Sequence, residues 1–254
     1  MSLLQLKLQN GLTVSVNDFG NPDGYPIIVN HGLIASIKDE FFFTKLVEAG
    51  RRIICIARPG YGKTPPFLLD NVRMWGSVVN EVVLKLSLEE FDVLGLSSGA
   101  TYSYGIAYEL SAKARNVFIF SGTPALFHKD VITKWPYPLN PEAEIPELQK
   151  LAKELFFPNG VNKGVNASED SFINDCFGIA LDLKIRCMNW GFELSQISAN
   201  VFIEHSVDDE NVPFATAEST AELFDNCKFI KRNSGGHFSE ELLDQFLIKT
   251  VLKQ

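Results

Sequence analysis

A serine that could act as a nucleophile lies in the segment 91–100, FDVLGLSSGA, which contains the motif Gly95-x-Ser97-x-Gly99. A run suited to a buried strand precedes the motif, and a helical pattern follows it. Glycine at positions 95 and 99 leaves room for a strand-to-helix turn that is tight enough to expose the Ser97 hydroxyl. The Ser98 amide would then point at an oxyanion formed on a carbonyl that Ser97 attacks. The segment therefore predicts a nucleophile elbow.

A serine hydroxyl is a weak nucleophile near neutral pH, so Ser97 needs a general base, and that base needs a third group to hold its tautomer. His237 lies in the glycine-rich segment 233–238, NSGGHF, between the last predicted strand and the last predicted helix. Loops at the carboxyl ends of parallel strands meet at one edge of a sheet, where Ser97 also lies. We therefore predict that His237 is the base. Two adjacent aspartates, Asp208 and Asp209, follow another predicted strand and compete for the role of the acid.

The scaffold that positions these residues is predicted from the hydrophobic pattern. Two alternating runs, 4–8 and 13–16, joined by Asn10-Gly11, predict an N-terminal hairpin. From residue 27 onward, the predicted strands are 27–29, 53–56, 91–94, 117–120, 201–203 and 228–230, and the predicted helices are 39–49, 72–88, 98–111, 215–224 and 239–251. Continuous apolar runs are typical of parallel strands covered on both faces. Their alternation with helices predicts an α/β fold with a mostly parallel central sheet flanked by helices.

The strand–helix alternation stops between residues 124 and 196. This stretch contains the segment 135–138, WPYP, a helical pattern over 145–157, turn-rich segments up to residue 168 and further helical patterns up to residue 194. It predicts a helical insertion, 124–196, between two parts of one core, 1–123 and 197–254.

The order of serine, aspartate and histidine along the chain is that of the α/β-hydrolases. Residues 205–213, HSVDDENVP, are similar to that family's His-Gly-x-x-Asp-x-x-Val-Pro segment. The sequence resembles an α/β-hydrolase-fold enzyme over nearly the whole chain outside the insertion. The resemblance implies that Asp209 completes a catalytic triad with Ser97 and His237, and that Asp208 is the alternative acid. It also implies that the insertion is a helical cap over the active site.

The segment 30–33, NHGL, follows the first predicted parallel strand, where the α/β-hydrolase family carries a His-Gly-x oxyanion loop. The resemblance implies that the amides of Leu33 and Ser98 are the two donors of the oxyanion hole. The remaining histidines, His31, His128 and His205, are interpreted as structural. His31 is interpreted as a scaffold of this loop.

The segment 57–64, ARPGYGKT, matches the looser Walker A pattern with Ala57 in place of the first glycine, so nucleotide binding is an alternative from another functional class. Pro65 and Pro66 argue against it, because a P-loop continues into a helix through its lysine and threonine. The segment instead resembles the Asp-x-Pro-Gly-x-Gly-x-Ser turn of α/β-hydrolases, with Ala57 in the place of the aspartate. We therefore predict a structural turn.

The chain has 254 residues and a formal net charge of -8, without a cluster of lysine and arginine, which argues against nucleic acid and anionic membranes as partners. Its N-terminus has no basic region followed by a long apolar core, and no apolar run approaches about 18 residues, so we predict a cytoplasmic protein.

The chain contains four widely spaced cysteines, Cys55, Cys176, Cys187 and Cys227. We interpret them as reduced core residues. We expect a small-molecule substrate, no metal and no organic cofactor.

The predicted reaction is acyl transfer to water from a small ester-like substrate. Serine at position 97 distinguishes the chain from dehalogenase and epoxide-hydrolase relatives, which place aspartate at the elbow. The same triad could instead cleave a C–C bond, or an amide in the manner of an iminopeptidase, with Glu142, Glu144 and Glu147 as candidates to bind a substrate ammonium. A ligand-binding homologue that turns over slowly or not at all is the alternative from another class. The substrate and the oligomeric state are left open.

Overall fold

A computed structural model describes residues 2–254. The strands within these residues are β1 (Ser2–Lys7), β2 (Thr13–Gly20), β3 (Pro26–Asn30), β4 (Arg52–Ile56), β5 (Phe91–Leu96), β6 (Ala114–Phe120), β7 (Asn200–Ser206) and β8 (Cys227–Arg232). They form one sheet in the order β1-β2-β4-β3-β5-β6-β7-β8. The pairs β1–β2 and β2–β4 are antiparallel, and all other neighbours are parallel. The predicted hairpin and the mostly parallel sheet are confirmed.

The helices that the structure describes are α1 (Thr44–Glu48), α2 (Val72–Lys85), α3 (Gly99–Glu109), α4 (Lys129–Ile132), α5 (Ile145–Phe156), α6 (Asn166–Phe172), α7 (Phe177–Ile185), α8 (Phe214–Ala221) and α9 (Glu240–Lys249). The helix predicted over 39–49 consists of a 3₁₀ turn over Glu40–Phe43 followed by the short α1. Helix α2 ends before the predicted residue 88 because Ser87 adopts a left-handed conformation, with φ of 53°.

Alternate residues of the central strands point into two apolar layers. Ile28 of β3 packs in the layer that contains Trp75 of α2, whereas its neighbour Ile27 packs in the layer that contains Phe246 of α9. Every residue of β5 is buried. Burial on both faces explains why these strands have continuous apolar sequences, and their parallel direction brings their carboxyl ends to one edge of the sheet.

Residues 124–196, which we call the cap segment, contain α4 to α7 and no strand. Three consecutive residues, 174–176, have left-handed backbone angles and separate α6 from α7. Helix α7 lies directly on the turn 57–64, since a Cβ atom at Gly178 would lie 2.4 Å from the Tyr61 ring. The cap segment is thus joined closely to the core.

The segment 57–64 is an irregular turn, and the next helix along the described chain is α2, which begins at Val72. The Thr64 hydroxyl donates to the Ala57 carbonyl at 2.9 Å and accepts from the Ser15 amide at 2.9 Å. In a P-loop, the threonine would instead open a helix and face a metal-bound phosphate. The geometry is therefore that of a structural turn.

Within residues 2–254, every helix falls short of the length and apolar character needed to cross a bilayer. All four cysteines lie in this part of the chain as free thiols. Cys55 and Cys176 are buried, as predicted, whereas Cys187 and Cys227 are partly exposed.

Candidate active site

Ser97 occupies the sharp turn between β5 and α3 with a left-handed backbone, φ of 50°. Its amide donates to the Phe120 carbonyl at 3.0 Å, and its carbonyl accepts from the amides of Ala100 and Thr123, each at 3.0 Å. A non-glycine residue keeps such a conformation only where the surrounding structure imposes it. These three hydrogen bonds hold the Ser97 backbone in the elbow conformation.

The two glycines of the motif are required by close packing around the turn. A Cβ atom at Gly95 would lie 2.6 Å from the Ser103 hydroxyl and 2.9 Å from the Ala100 Cα atom. A Cβ atom at Gly99 would lie 2.1 Å from the Asn30 carbonyl oxygen. Both distances to backbone atoms are shorter than real Cβ contacts. The predicted steric reason for these glycines is confirmed.

Ser97, His237 and Asp209 form a continuous hydrogen-bonded row. The distance from His237 Nε2 to Ser97 Oγ is 2.8 Å, and the distance from His237 Nδ1 to Asp209 Oδ2 is also 2.8 Å. An ionised carboxylate only accepts, so Nδ1 carries the proton and Nε2 accepts from the Ser97 hydroxyl. The three residues follow β5, β8 and β7, whose carboxyl ends lie at the same edge of the sheet.

Asp209 is buried, with 5% of its surface exposed, and donors surround its carboxylate. Oδ1 accepts from the amides of Asn211 and Val212, each at 2.9 Å, and Oδ2 lies 3.1 Å from His205 Nε2 in addition to its contact with His237. Burial alone would raise the pKa of Asp209. The hydrogen bonds from His205, His237 and the Val212 amide outweigh burial and hold this pKa well below its ordinary value. The carboxylate is therefore ionised whenever the protein is near neutral pH.

His205 contacts the candidate acid, Asp209, directly, a contact that was not predicted from the sequence. The side chain is fully buried, and Nε2 lies 2.8 Å from the Val212 carbonyl and 3.1 Å from Asp209 Oδ2. Both neighbours are acceptors, so Nε2 carries the proton and donates towards them. His205 opens the segment 205–213 that resembles the family motif, and this position was the available signal for its role.

The two candidate acids have separate structural roles. Asp208 is exposed, and its carboxylate accepts from the amides of Gly235 at 3.2 Å and Gly236 at 2.9 Å. These glycines immediately precede His237, so Asp208 holds the loop that carries the histidine. Asp209 instead bonds the imidazole itself.

The segment 30–33 lies beside the elbow at the end of β3. A Cβ atom at Gly32 would lie 3.8 Å from the Ser97 Cβ atom, which places the glycine against the serine. Neither the Leu33 amide nor the Ser98 amide has a backbone acceptor among the residues described. Two backbone amides that have no backbone acceptor and lie next to a serine hydroxyl are suited to bind an oxyanion.

A buried arginine, Arg58, supports the segment 30–33. Arg58 is 0% exposed, and its guanidinium donates to the carbonyls of His31 and Gly32, the second at 3.0 Å. Nη2 also lies 3.1 Å from the Ser98 hydroxyl. Nε and Nη2 contact the two carboxylate oxygens of Asp182 at 3.2 and 2.5 Å. Arg58 thus contacts both backbone segments that carry the candidate oxyanion donors, the amides of Leu33 and Ser98.

Asp182 of α7 is the counter-charge of Arg58, and it reaches the core from the cap segment. Its oxygens also accept from the hydroxyls of Tyr102 at 2.6 Å, Tyr61 at 2.9 Å and Ser98 at 3.1 Å. Burial would lower the pKa of Arg58, but the Asp182 carboxylate raises it above the ordinary value. The guanidinium and the carboxylate are both buried and hydrogen-bonded on several sides, which is the condition under which a buried ion pair is tolerated.

Neither Arg58 nor Asp182 was predicted from the sequence as a residue of the site. Arg58 was considered only as part of the turn 57–64. Asp182 is the one acidic residue in the mostly apolar helix sequence FGIALDLKI of α7. A lone carboxylate on a buried helix requires a partner, and that pattern was the available signal.

His31, within the segment 30–33, is buried, and its ring packs edge-on against Tyr61 with 4.6 Å between ring centroids. Nδ1 lies 2.9 Å from the Gly32 carbonyl. Burial and the positive charge of Arg58 hold the pKa of His31 well below its ordinary value, so the ring is neutral. These contacts suit the scaffold role that was expected for His31.

The acidic residues Glu142, Glu144 and Glu147, considered as a substrate ammonium site, are exposed. Glu147 accepts from the Glu144 amide at 3.3 Å and so caps the start of α5. Among residues 2–254, no group of three or more histidine, cysteine, aspartate and glutamate side chains is arranged to hold a metal ion.

Known structures share this architecture over their full length. The chain matches an esterase from Exiguobacterium antarcticum with a TM-score of 0.77 and 20% identity, covering 99% of this chain and 100% of the esterase. A bromoperoxidase from Bacillus anthracis matches with a TM-score of 0.70 and 18% identity over 100% of both chains. The protein has the α/β-hydrolase fold. The fold family implied by the sequence motifs is thereby confirmed.

Other relatives of this α/β-hydrolase-fold chain are more distant or cover less of it. An enol-lactonase from Burkholderia xenovorans matches with a TM-score of 0.70 and 14% identity over 98% of both chains. The uncharacterized hydrolase YcgS of Bacillus subtilis is 33% identical over 76 residues, which are 30% of this chain and 27% of that relative. The chain therefore aligns with only about a quarter of the length of YcgS. No protein-family model matches the chain.

Proposed function

We propose that this protein is a serine hydrolase that cleaves a small ester-like substrate through an acyl-enzyme. The observation that carries the proposal is the row of hydrogen bonds from Ser97 through His237 to Asp209, with 2.8 Å at each step. A nucleophile, a base and an orienting carboxylate at such distances are the arrangement that activates a serine hydroxyl. The names of the similar proteins, which include an esterase, an enol-lactonase and a hydrolase, support this class of reaction.

In the proposed mechanism, His237 Nε2 removes the hydroxyl proton of Ser97 while Oγ attacks the substrate carbonyl. Asp209 stabilises the imidazolium that forms. His237 then donates the proton to the departing alcohol oxygen, which leaves an acyl group on Ser97. A water molecule attacks this acyl group while His237 takes its proton, and the return of the proton to Oγ releases the carboxylic acid.

The amides of Leu33 and Ser98 are the proposed donors to the oxyanion. Each such donor contributes about 10²- to 10³-fold to the rate in comparable sites. Arg58 acts behind them as a positioning residue, because it bonds the carbonyls of His31 and Gly32 and the Ser98 hydroxyl. The cap segment is proposed to cover this site, since Asp182 approaches within 3.1 Å of the Ser98 hydroxyl.

A fluorophosphonate probe tests the proposal directly, because it reacts only with an activated serine. We expect labelling of Ser97, located by mass spectrometry, and hydrolysis of short p-nitrophenyl esters. Ser97→Ala should lose the label and about 10⁴-fold or more of kcat/KM. Ser111→Ala, which changes an exposed serine at the end of α3, is the matched control and should keep both properties.

An unlabelled Ser97 in folded protein would contradict the proposal. Labelled protein that hydrolyses no ester would direct the assignment to the alternatives, which a panel of aminoacyl amides and β-diketones separates from a ligand-binding homologue. The cytoplasmic location, the small-molecule substrate and the independence from metals and organic cofactors stay predictions.

A further inference from the structure

Arg232, the last residue of β8, contacts the loop that carries the candidate base. Its side chain is only 10% exposed, and its Nη2 atom donates to the Gly236 carbonyl oxygen at 2.8 Å. This carbonyl belongs to the peptide group that joins Gly236 to His237. A largely buried donor therefore fixes the peptide plane next to the imidazole-bearing residue.

The loop before the base contains two glycines whose backbone must be held in place. Gly235 and Gly236 both have positive φ angles, 115° and 64°. Glycine reaches such angles freely, but it also has more alternative conformations than any other residue. The Gly236 amide donates to the Asp208 carboxylate at 2.9 Å, and the Gly236 carbonyl accepts from Arg232. The two contacts together restrain the peptide groups on both sides of Gly236.

Arg232 is itself held by two other strands of the sheet. Its Nη1 atom donates to Glu204 Oε1 of β7 at 3.1 Å, and its guanidinium carbon lies 4.8 Å from the centroid of the Phe120 ring at the end of β6. A planar guanidinium can donate in two directions while it stacks on an aromatic ring. Burial raises the pKa of Glu204, and the Arg232 guanidinium opposes this rise. The position of the guanidinium is therefore set by β6 and β7 as well as by its own strand.

The same two strands support the nucleophile and the acid. The Phe120 carbonyl accepts the Ser97 amide at 3.0 Å. Glu204 lies in β7, the strand that leads to Asp209. Arg232 thus ties the loop of the base to the strand ends that determine where its two partners lie.

We propose that Arg232 is a positioning residue for His237, which it holds through the Gly236 carbonyl, with Glu204 as its carboxylate partner. Its effect is to keep His237 Nε2 at the observed 2.8 Å from Ser97 Oγ. A displacement of about 1 Å in a reacting group can lower a rate by about 100-fold. This inference rests on the proposed serine-hydrolase function, because it concerns the base of that site.

Arg232→Met tests this role, because it removes both hydrogen bonds and keeps the apolar part of the side chain. We expect kcat for a p-nitrophenyl ester to fall by about 10- to 100-fold and KM to change less than about threefold, since the base moves while the substrate-binding surface stays. Arg232→Lys keeps the charge but replaces the fork of donors by a single ammonium, so it should recover part of kcat. The lysine variant also decides the question if Arg232→Met does not fold.

Arg52→Met is the matched control. Arg52 also joins two strands through a largely buried carboxylate, that of Asp18, with 2.6 Å between Nη2 and Oδ2. It opens β4 and so lies at the opposite edge of the sheet from Ser97. The control should lose stability towards urea and keep kcat. Unchanged kcat in Arg232→Met, a loss confined to KM, or an equal loss of kcat in Arg52→Met would overturn the inference while the hydrolase function stands.

The double variant Arg232→Met, Glu204→Gln separates positioning from stability. Without the arginine, the largely buried Glu204 carboxylate lacks its cation, and the glutamine removes that charge. The double variant should therefore recover part of the free energy of unfolding without recovering kcat. Recovery of kcat together with stability would show that the pair is purely structural and would contradict the inference.

NMR of protein with isotope-labelled histidine provides a readout that needs no turnover. The Cε1–H signal of the His237 ring is assigned by its absence in the His237→Ala protein. Arg232→Met should shift or broaden this signal, and Arg52→Met should leave it in place. If no ester is hydrolysed and Ser97 is not labelled by the fluorophosphonate, the proposed function fails, and the His237 signal then decides the inference alone. An unchanged signal in Arg232→Met would refute it.

Discussion

The sheet side and the cap side of the candidate site are positioned in different ways. On the sheet side, Ser97 is held by backbone hydrogen bonds with Phe120, Ala100 and Thr123. The backbone amides of the loop before His237 donate to the Asp208 carboxylate. On the cap side, the contact with the candidate site is made by side chains. Asp182 bonds Arg58, which lies 124 positions earlier in the chain.

This difference determines how each side responds to substitution. A backbone-held turn depends on small residues and on local conformation, so it is specified within a short motif. A side-chain bridge depends on two charges that arrive from separate segments and must both be present. Substitution of one bridging residue on the cap side is therefore expected to destabilise the protein strongly, although the cap side contributes no residue to the row of Ser97, His237 and Asp209.

The largest expected effect separates the adjacent aspartates of the sheet side. Asp209→Asn should lower kcat by about 10⁴-fold, because an amide cannot hold the His237 tautomer that accepts from Ser97. Asp208→Asn should cost only about tenfold, since it weakens the acceptor for the loop amides but leaves the imidazole contact intact. Steady-state kinetics on a p-nitrophenyl ester measure both, and a larger loss for Asp208→Asn would reassign the acid.

Removal of the cap-side carboxylate tests whether α7 positions the oxyanion donors. Asp182→Leu leaves Arg58 buried without its partner and should destabilise the fold by about 3–5 kcal/mol. We expect kcat to fall by about 10- to 100-fold with little change in KM, because the loop 30–33 and Ser98 lose their fixed support.

The double variant Arg58→Met, Asp182→Leu is the control for stability. Removing both charges should restore part of the free energy of unfolding, measured with urea, without restoring kcat. If kcat recovers together with stability, the pair is purely structural and does not position the oxyanion donors.

A smaller effect is expected from adding a methyl group at the elbow. Gly99→Ala places a Cβ atom 2.1 Å from the Asn30 carbonyl and should destabilise the fold by about 1–3 kcal/mol or more. Gly32→Ala is the matched control, because its Cβ atom would make only ordinary contacts of 3.8 Å. Urea unfolding of both variants checks this, and equal stability would show that the elbow accommodates the methyl group.

The smallest expected effect concerns stability in acid. The folded pKa of Asp209 lies below the value of about 3.9 for an unfolded chain, so ionised Asp209 stabilises the fold above that pH, and this contribution is lost as the pH falls through the folded value. The difference in unfolding free energy between wild type and Asp209→Asn should be greatest near pH 5 and shrink towards pH 2. A constant difference would show that hydrogen-bond geometry alone accounts for the stabilisation.

The core strands could be predicted because each is a continuous apolar run that the sheet buries on both faces. Their ends were less accessible to prediction, since ladder hydrogen bonds extend β7 over Asn200–Ser206, beyond the apolar residues 201–203. The helix predicted over 39–49 was only partly right. Its apolar pattern does not reveal that Phe43 departs from helical angles, with φ of -115° and ψ of 17°.

The sequence by itself determined the α/β order, the elbow at Ser97, and the choice of Asp209 and His237 as its partners, because these features depend on local conformation and on strand ends that meet at one edge. Only the tertiary structure decided that His205 and Asp208 support the row, and that Arg58 and Asp182 join the cap segment to the segment 30–33. Those relations are side-chain contacts between distant segments. A local pattern shows that a buried charge needs a partner but does not identify the partner, because the contact forms only when the helices of the cap segment pack on the sheet.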